Sequence, residues 1–199
     1  GTHNQEVSLE RIVEGLNALE VTVACISSNP NTSSKLDGRW DTIRLGAFAI
    51  TCGLLMNIVR LPVICRVLSR KDPQLLRQSV GSFLVVDIWS FYFSVLLKRM
   101  QPKLVLMSND HSSINRSLIN ICNTVGIKTA YVQHASVSKR FPALRFDYAF
   151  LDGRTALETY MYCESNRFSM ASLPAQRYVF LTGIQKPLAE VKRGSRVGV

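Results

Sequence analysis

Three histidines are the only imidazoles in this 199-residue chain, and His134 has the most informative surroundings. It follows the apolar run Thr129–Val132, has Gln133 beside it and precedes a loop of Ser136, Ser138, Lys139 and Arg140. An imidazole near neutral pH can take a proton from a hydroxyl nucleophile, a step worth about 10²–10⁴-fold in rate. The other use of such a histidine is structural, bonding the loop backbone. Asn109, Asp110 and His111 form a second polar group after the run Lys103–Met107. Asp110 accepts hydrogen bonds from sugar hydroxyls, or orients a catalytic histidine, or equally caps the helix that starts near Ser112 or Ser113. Ser136, Lys139 and Arg140 suit a phosphate or a carboxylated sugar, and equally a solvated loop. Asp152-Gly153 makes a turn that can also present a carboxylate to a ligand. His3, within Thr2–Gln5 ahead of the first helix, is a further base or acceptor contact if that segment is a strand–helix loop.

The elements that must position these groups follow from periodicity. Leu9, Ile12, Val13, Leu16 and Leu19 form one stripe, which predicts a helix over 8–19 with Ser8 as its N-cap. A β-rich run covers 21–26, and the Ser/Asn/Pro/Thr stretch 27–34 reads as loop. Residues 45–68 are the most apolar stretch, but Asn57, Arg60 and Pro62 interrupt it before the roughly 20 apolar residues of a spanning helix accumulate. A buried helix, or one lying on a membrane surface, is expected there. Arg70, Lys71, Asp72 and Pro73 close that section, and a helix is expected over 82–100.

The second half repeats one unit. Strands are predicted at 103–107, 129–132, 148–151 and 178–181, with helices over 114–125, ended by Gly126, and over 155–162. Right-handed crossovers make such strands parallel, and ligands of an open parallel sheet sit at the carboxyl ends of its strands. Asn109-Asp110-His111, Gln133-His134, Asp152-Gly153 and Thr182-Gly183 all fall at those ends.

Composition sets limits. Lys plus Arg number 24 against 14 Asp plus Glu, a formal net charge of +10 that favours anionic partners. The charges are scattered and lack the aromatic motifs of a nucleic-acid binder, so no nucleic-acid partner is expected. The five cysteines show no CxxC pair, which argues against zinc and thioredoxin-type sites and suits a reducing cytoplasm. No metal set accompanies His111. Dinucleotide, P-loop and GxSxG fingerprints are absent.

Residues 104–153 carry a family likeness, in SND at 108–110, the helix to Gly126, YVQHAS at 131–136 and DYAFLDG at 147–153. These pieces resemble the N-terminal Rossmann-like domain of bacterial GT-B glycosyltransferases, above all the capsule-polysaccharide and polysialyltransferase-like group. Ala135 stands where that group usually has the glycine of Gln-His-Gly. The resemblance implies an α/β fold, a Rossmann-like parallel sheet with helices on both faces, forming one half of a GT-B enzyme. Residues 1–182 would be the acceptor-side domain and 183–199 a linker with the start of a second domain, so that the piece is inactive alone. His134 would be the base or a donor-phosphate contact and Asp110 its polar neighbour. His3, Asn109, His111, Gln133, Ser136, Lys139, Arg140 and Asp152 would line the substrate side. The implied reaction is inverting and metal-independent, needs no cofactor, and moves sugar from a nucleotide-sugar donor to a saccharide acceptor in cell-envelope polysaccharide synthesis. The implied place is the cytoplasm, at the inner face of an anionic membrane. Alternatives on the same scaffold are a UDP-sugar 2-epimerase-like or glycerophosphate transferase domain, or a non-catalytic membrane-docking module.

Overall fold

A computed structural model of the chain describes residues 3–27, 40–42, 46–71, 73–109, 111–165 and 177–183. It is a mixed α/β structure built on a four-stranded, all-parallel sheet, consistent with a Rossmann-like fold. The strands are β3 (Leu104–Met107), β4 (Lys128–Val132), β5 (Tyr148–Leu151) and β6 (Tyr178–Leu181), in that spatial order. Helix α4 (Ser113–Val125) joins β3 to β4, and α5 (Arg154–Ser165) follows β5. A separate parallel pair, β1 (Cys25–Ser27) with β2 (Trp40–Thr42), precedes the long helices α2 (Ala47–Lys71) and α3 (Pro73–Met100).

The register explains the core. Tyr131 pairs with Ala149 across β4 and β5, and Met107 with Tyr131 across β3 and β4, so these side chains share one sheet face. Ile119 of α4 and Ala156 and Tyr160 of α5 join them there, with Leu144 and Phe146 from the segment between β4 and β5. The Tyr131 and Phe146 rings stack at 5.1 Å. Sealing such side chains from water contributes about 1.5–3 kcal/mol each. Central β4 is buried from Thr129 to Val132, as a two-sided strand should be, whereas all four residues of β6 are exposed. On the opposite sheet face Tyr148 stacks on Tyr178 at 5.6 Å and Phe150 on Phe180 at 5.1 Å.

Local chemistry sets the ends of α4. Ser112 is its N-cap, with Oγ accepting from the Asn115 N–H at 3.2 Å. Gly126 ends it in the left-handed region at φ 77°, its N–H donating to the Cys122 carbonyl. The Cys122 thiol is fully buried, and that burial pushes its pKa up to about 12.

Three expectations need correction. Helix α1 runs His3–Ala18, so Ser8 is not a cap but a buried residue inside the helix. His3 therefore lies in the first helical turn rather than in a strand–helix loop. Helix α3 starts at Pro73, not near 82, because proline fits the first turn of a helix, where its missing N–H costs nothing.

At the amino ends of the strands Asp147 ties three of them together. Its carboxylate accepts from Lys128 Nζ at 2.7 Å, the Thr129 N–H at 2.9 Å and Thr129 Oγ1 at 3.0 Å. Its carbonyl accepts from the Tyr178 N–H at 2.8 Å. Burial alone would raise the Asp147 pKa, but the hydrogen bonds from Lys128 and Thr129 and the Lys128 charge outweigh it and hold the carboxyl below its usual range. The bond to Asp147 correspondingly raises Lys128. A depressed carboxyl contributes stability that is present at neutral pH and lost as the pH falls through its folded value. Asp147→Asn should cost about 2 kcal/mol in urea denaturation at pH 7, and the cost should shrink below about pH 4, where the unfolded carboxyl is itself protonated.

Candidate functional site

The parallel register puts the carboxyl ends of all four strands at one edge, opposite Asp147. Ser108, Gln133, Asp152 and Thr182 each follow their strand directly along that edge. Gln133 organises it. The Gln133 N–H donates to the Phe150 carbonyl at 3.0 Å. Its side chain, only 3% exposed as a residue, accepts from the Asp152 N–H at 3.0 Å through Oε1. Nε2 donates to the Ala135 carbonyl, also at 3.0 Å. One amide thus clamps the start of the His134 loop to the turn after β5, and both of its ends are committed to main chain. His134, next along, is half-buried.

The turn after β3 is built the same way. Asn109 Oδ1 accepts from the His111 N–H at 3.0 Å, and the Asn109 carbonyl accepts from Asn115 Nδ2 at 3.0 Å. The turn is therefore locked to the first part of α4. The His111 ring is exposed and lies 4.9 Å from Phe141, which brings this turn against the loop that carries His134. Asp110 lies outside the described residues. The cap of α4 is Ser112, so capping does not require the aspartate.

The loop between β4 and β5 is pinned from below. Arg116 Nη1 donates to the Ala143 carbonyl at 3.4 Å and Arg177 Nη1 to the Leu144 carbonyl at 3.0 Å. Leu144 and Phe146 are buried beneath it. Above them, Ser136, Lys139 and Arg140 are exposed. Ser138 shapes the crest: its Oγ accepts from the Arg140 N–H at 3.4 Å and its carbonyl from the Phe141 N–H at 3.0 Å. Lys139 Nζ sits 5.0 Å above the Tyr162 ring of α5, which draws that cation toward the helix. No non-glycine residue besides Glu20 and Gln101 has a positive φ among the described residues, so Ala135 fits its loop without strain.

Comparison with protein-family models, curated proteins and solved structures finds no match. The site therefore rests on its own geometry. That geometry brings Asn109, His111, Gln133, His134 and Asp152 to one sheet edge and leaves His3 in α1. Among the described residues no three histidine, cysteine or acidic side chains gather as a metal set. Sequence reasoning missed Arg116, Arg177 and Asp147, which shape the loop and the sheet without standing at the edge. An aspartate one residue ahead of a predicted strand was the available signal for Asp147.

Gln133→Leu should remove both side-chain bonds and leave the Asp152 N–H and Ala135 carbonyl to find water. A loss of about 1–3 kcal/mol in denaturant unfolding is expected, with faster amide exchange at Asp152 by NMR.

Proposed function

We propose that the chain is the acceptor-side domain of a nucleotide-sugar-dependent glycosyltransferase in cell-envelope polysaccharide synthesis. The observation that carries this reading is the placement of His134 at the carboxyl edge of a parallel sheet, on a loop that Gln133 fixes to the Asp152 turn. Open α/β sheets bind their ligands at that edge. An acceptor hydroxyl set against His134 would give its proton to the imidazole as its oxygen bonds to the anomeric carbon. The bond from that carbon to the nucleotide phosphate breaks, and the nucleoside diphosphate leaves with inversion. Asp152 and Asn109 flank the position such an acceptor would take, and the exposed Arg140 suits a charged sugar or phosphate. The donor nucleotide would be held by a second domain, as the resemblance to GT-B enzymes implies.

In the whole protein, supplied with nucleotide-sugars and a saccharide acceptor, His134→Ala should lower kcat by about 10²–10⁴-fold while circular dichroism stays unchanged. A variant that folds and turns over at the wild-type rate removes His134 as the base. Transfer of glycerophosphate instead of sugar, read by product analysis with labelled donors, removes the glycosyltransferase reading.

A further inference from the structure

Among the described residues, helix α2 buries no large apolar side chain. Those it buries are Ala49, Gly53 and Asn57. Its bulk stays outside: Leu55 is 58% exposed, Ile58 70%, Val59 76% and Val63 62%. Phe48 meets Phe91 of α3 edge to face, with ring centres 5.7 Å apart, and is still 71% exposed. Packing of an apolar face is what chiefly fixes a helix to its domain, and α2 has little of it. By contrast α3 buries Phe93 and Leu97, and α4 buries Ile119 and Cys122.

The contacts that hold α2 are polar and incomplete. Asn57 Nδ2 donates to the Gly53 carbonyl and, across to α3, to the Leu84 carbonyl, both at 3.0 Å. Both N–H groups of that amide are thereby used, which fixes its orientation and leaves Oδ1 an acceptor only. Arg60 Nη1 meets Oδ1 of the buried Asp87 at 2.7 Å. Asn57 Oδ1 and Asp87 Oδ2 are both buried without a donor among the described residues. A buried acceptor that lacks a donor disfavours the closed arrangement, because water would have served it. Parting α2 from α3 exchanges the formed hydrogen bonds for bonds to water almost evenly, and it gives the two orphan oxygens the partners they lack.

Helix α3 is held independently. Among the described residues α2 packs on α3, and α3 packs in turn on α4. Ser117 Oγ of α4 lies 3.4 Å from the Val86 carbonyl of α3. We propose that α2 is a detachable arm, which opens from α3 as one unit while α3, α4 and the four-stranded sheet stay folded. Sub-global opening of this kind belongs to the elements with the least buried apolar contact. The inference uses no residue of the sheet edge and stands independently of the glycosyltransferase reading.

The test is amide hydrogen exchange of the whole chain at neutral pH, in the regime where reclosing outruns exchange. Off α3, a helix that carries Gly53, Pro62 and several β-branched residues has little stability of its own, so its amides exchange once it opens. The amides between Gly53 and Leu61 should share one opening constant and be protected about tenfold less, or lower still, than those of α4 and β4. A Cβ at Gly53 would collide with the Ile88 main chain. Gly53→Ala should therefore lower the protection of α2 by about a further tenfold, although alanine is the better helix former, and leave α4, β4 and β5 as they are. The proposal is overturned if wild-type α2 is as protected as β4, or if its amides open one after another from an end. It is equally overturned if Gly53→Ala leaves α2 unchanged, lowers protection in every element alike or abolishes folding, since the last two make α2 part of one cooperative unit with the sheet.

Discussion

One buried carboxylate sets the geometry on which the sheet depends. Asp147 stands where β5 begins and accepts three hydrogen bonds from the start of β4, while its carbonyl receives the N–H that opens β6. Parallel strands have no tight turn to fix their register, so something else must. Here the stagger between β4, β5 and β6 is fixed at their amino ends by Asp147, with Lys128 supplying the counter-charge that keeps it ionised. At the far end Gln133 repeats the arrangement with a neutral amide. Between these two clamps the strands have little freedom to slide, and the residues at the carboxyl edge take their positions from that.

The division of labour at the edge follows. Gln133 and Asn109 spend their side chains on main-chain groups, so they shape the turns. Ser136, Lys139 and Arg140 are exposed on a loop whose underside is filled by Leu144 and Phe146, and His111 is exposed on the neighbouring turn after β3. Arg116 and Arg177 hold that loop by its Ala143 and Leu144 carbonyls. A glutamine and two arginines that looked available for a ligand, or were overlooked, thus act as supports.

Much of the second half was legible in the sequence. The strands expected over 148–151 and 178–181 match the structure to the residue, and Gly126 ends α4 as its residue type predicts. Unbroken apolar runs punctuated by turn residues leave few alternatives. The first half was less legible for physical reasons. Proline breaks a helix interior, so Pro73 signals a stop in the sequence, yet it opens α3. Ser8 has the right chemistry for a cap, but helical turns of polar residues precede it, and these show no apolar period. β2 is three residues long, too short for any alternation to register. The apolar content of α2 was plain, but hydropathy does not say which face looks inward. That depends on Gly53, Asn57 and the Arg60–Asp87 pair, whose partners lie on another helix.

Gly53 carries a mechanical consequence. With no side chain at Gly53, α2 approaches α3 closely enough there that an added Cβ would collide with the Ile88 main chain. The hydrogen bonds at Asn57 and the ion pair at Arg60 sit one and two turns further along the same seam. The two helices are thus fastened to each other along one seam, and α3 packs in turn on α4, so the seam continues to the helix that leads into β4.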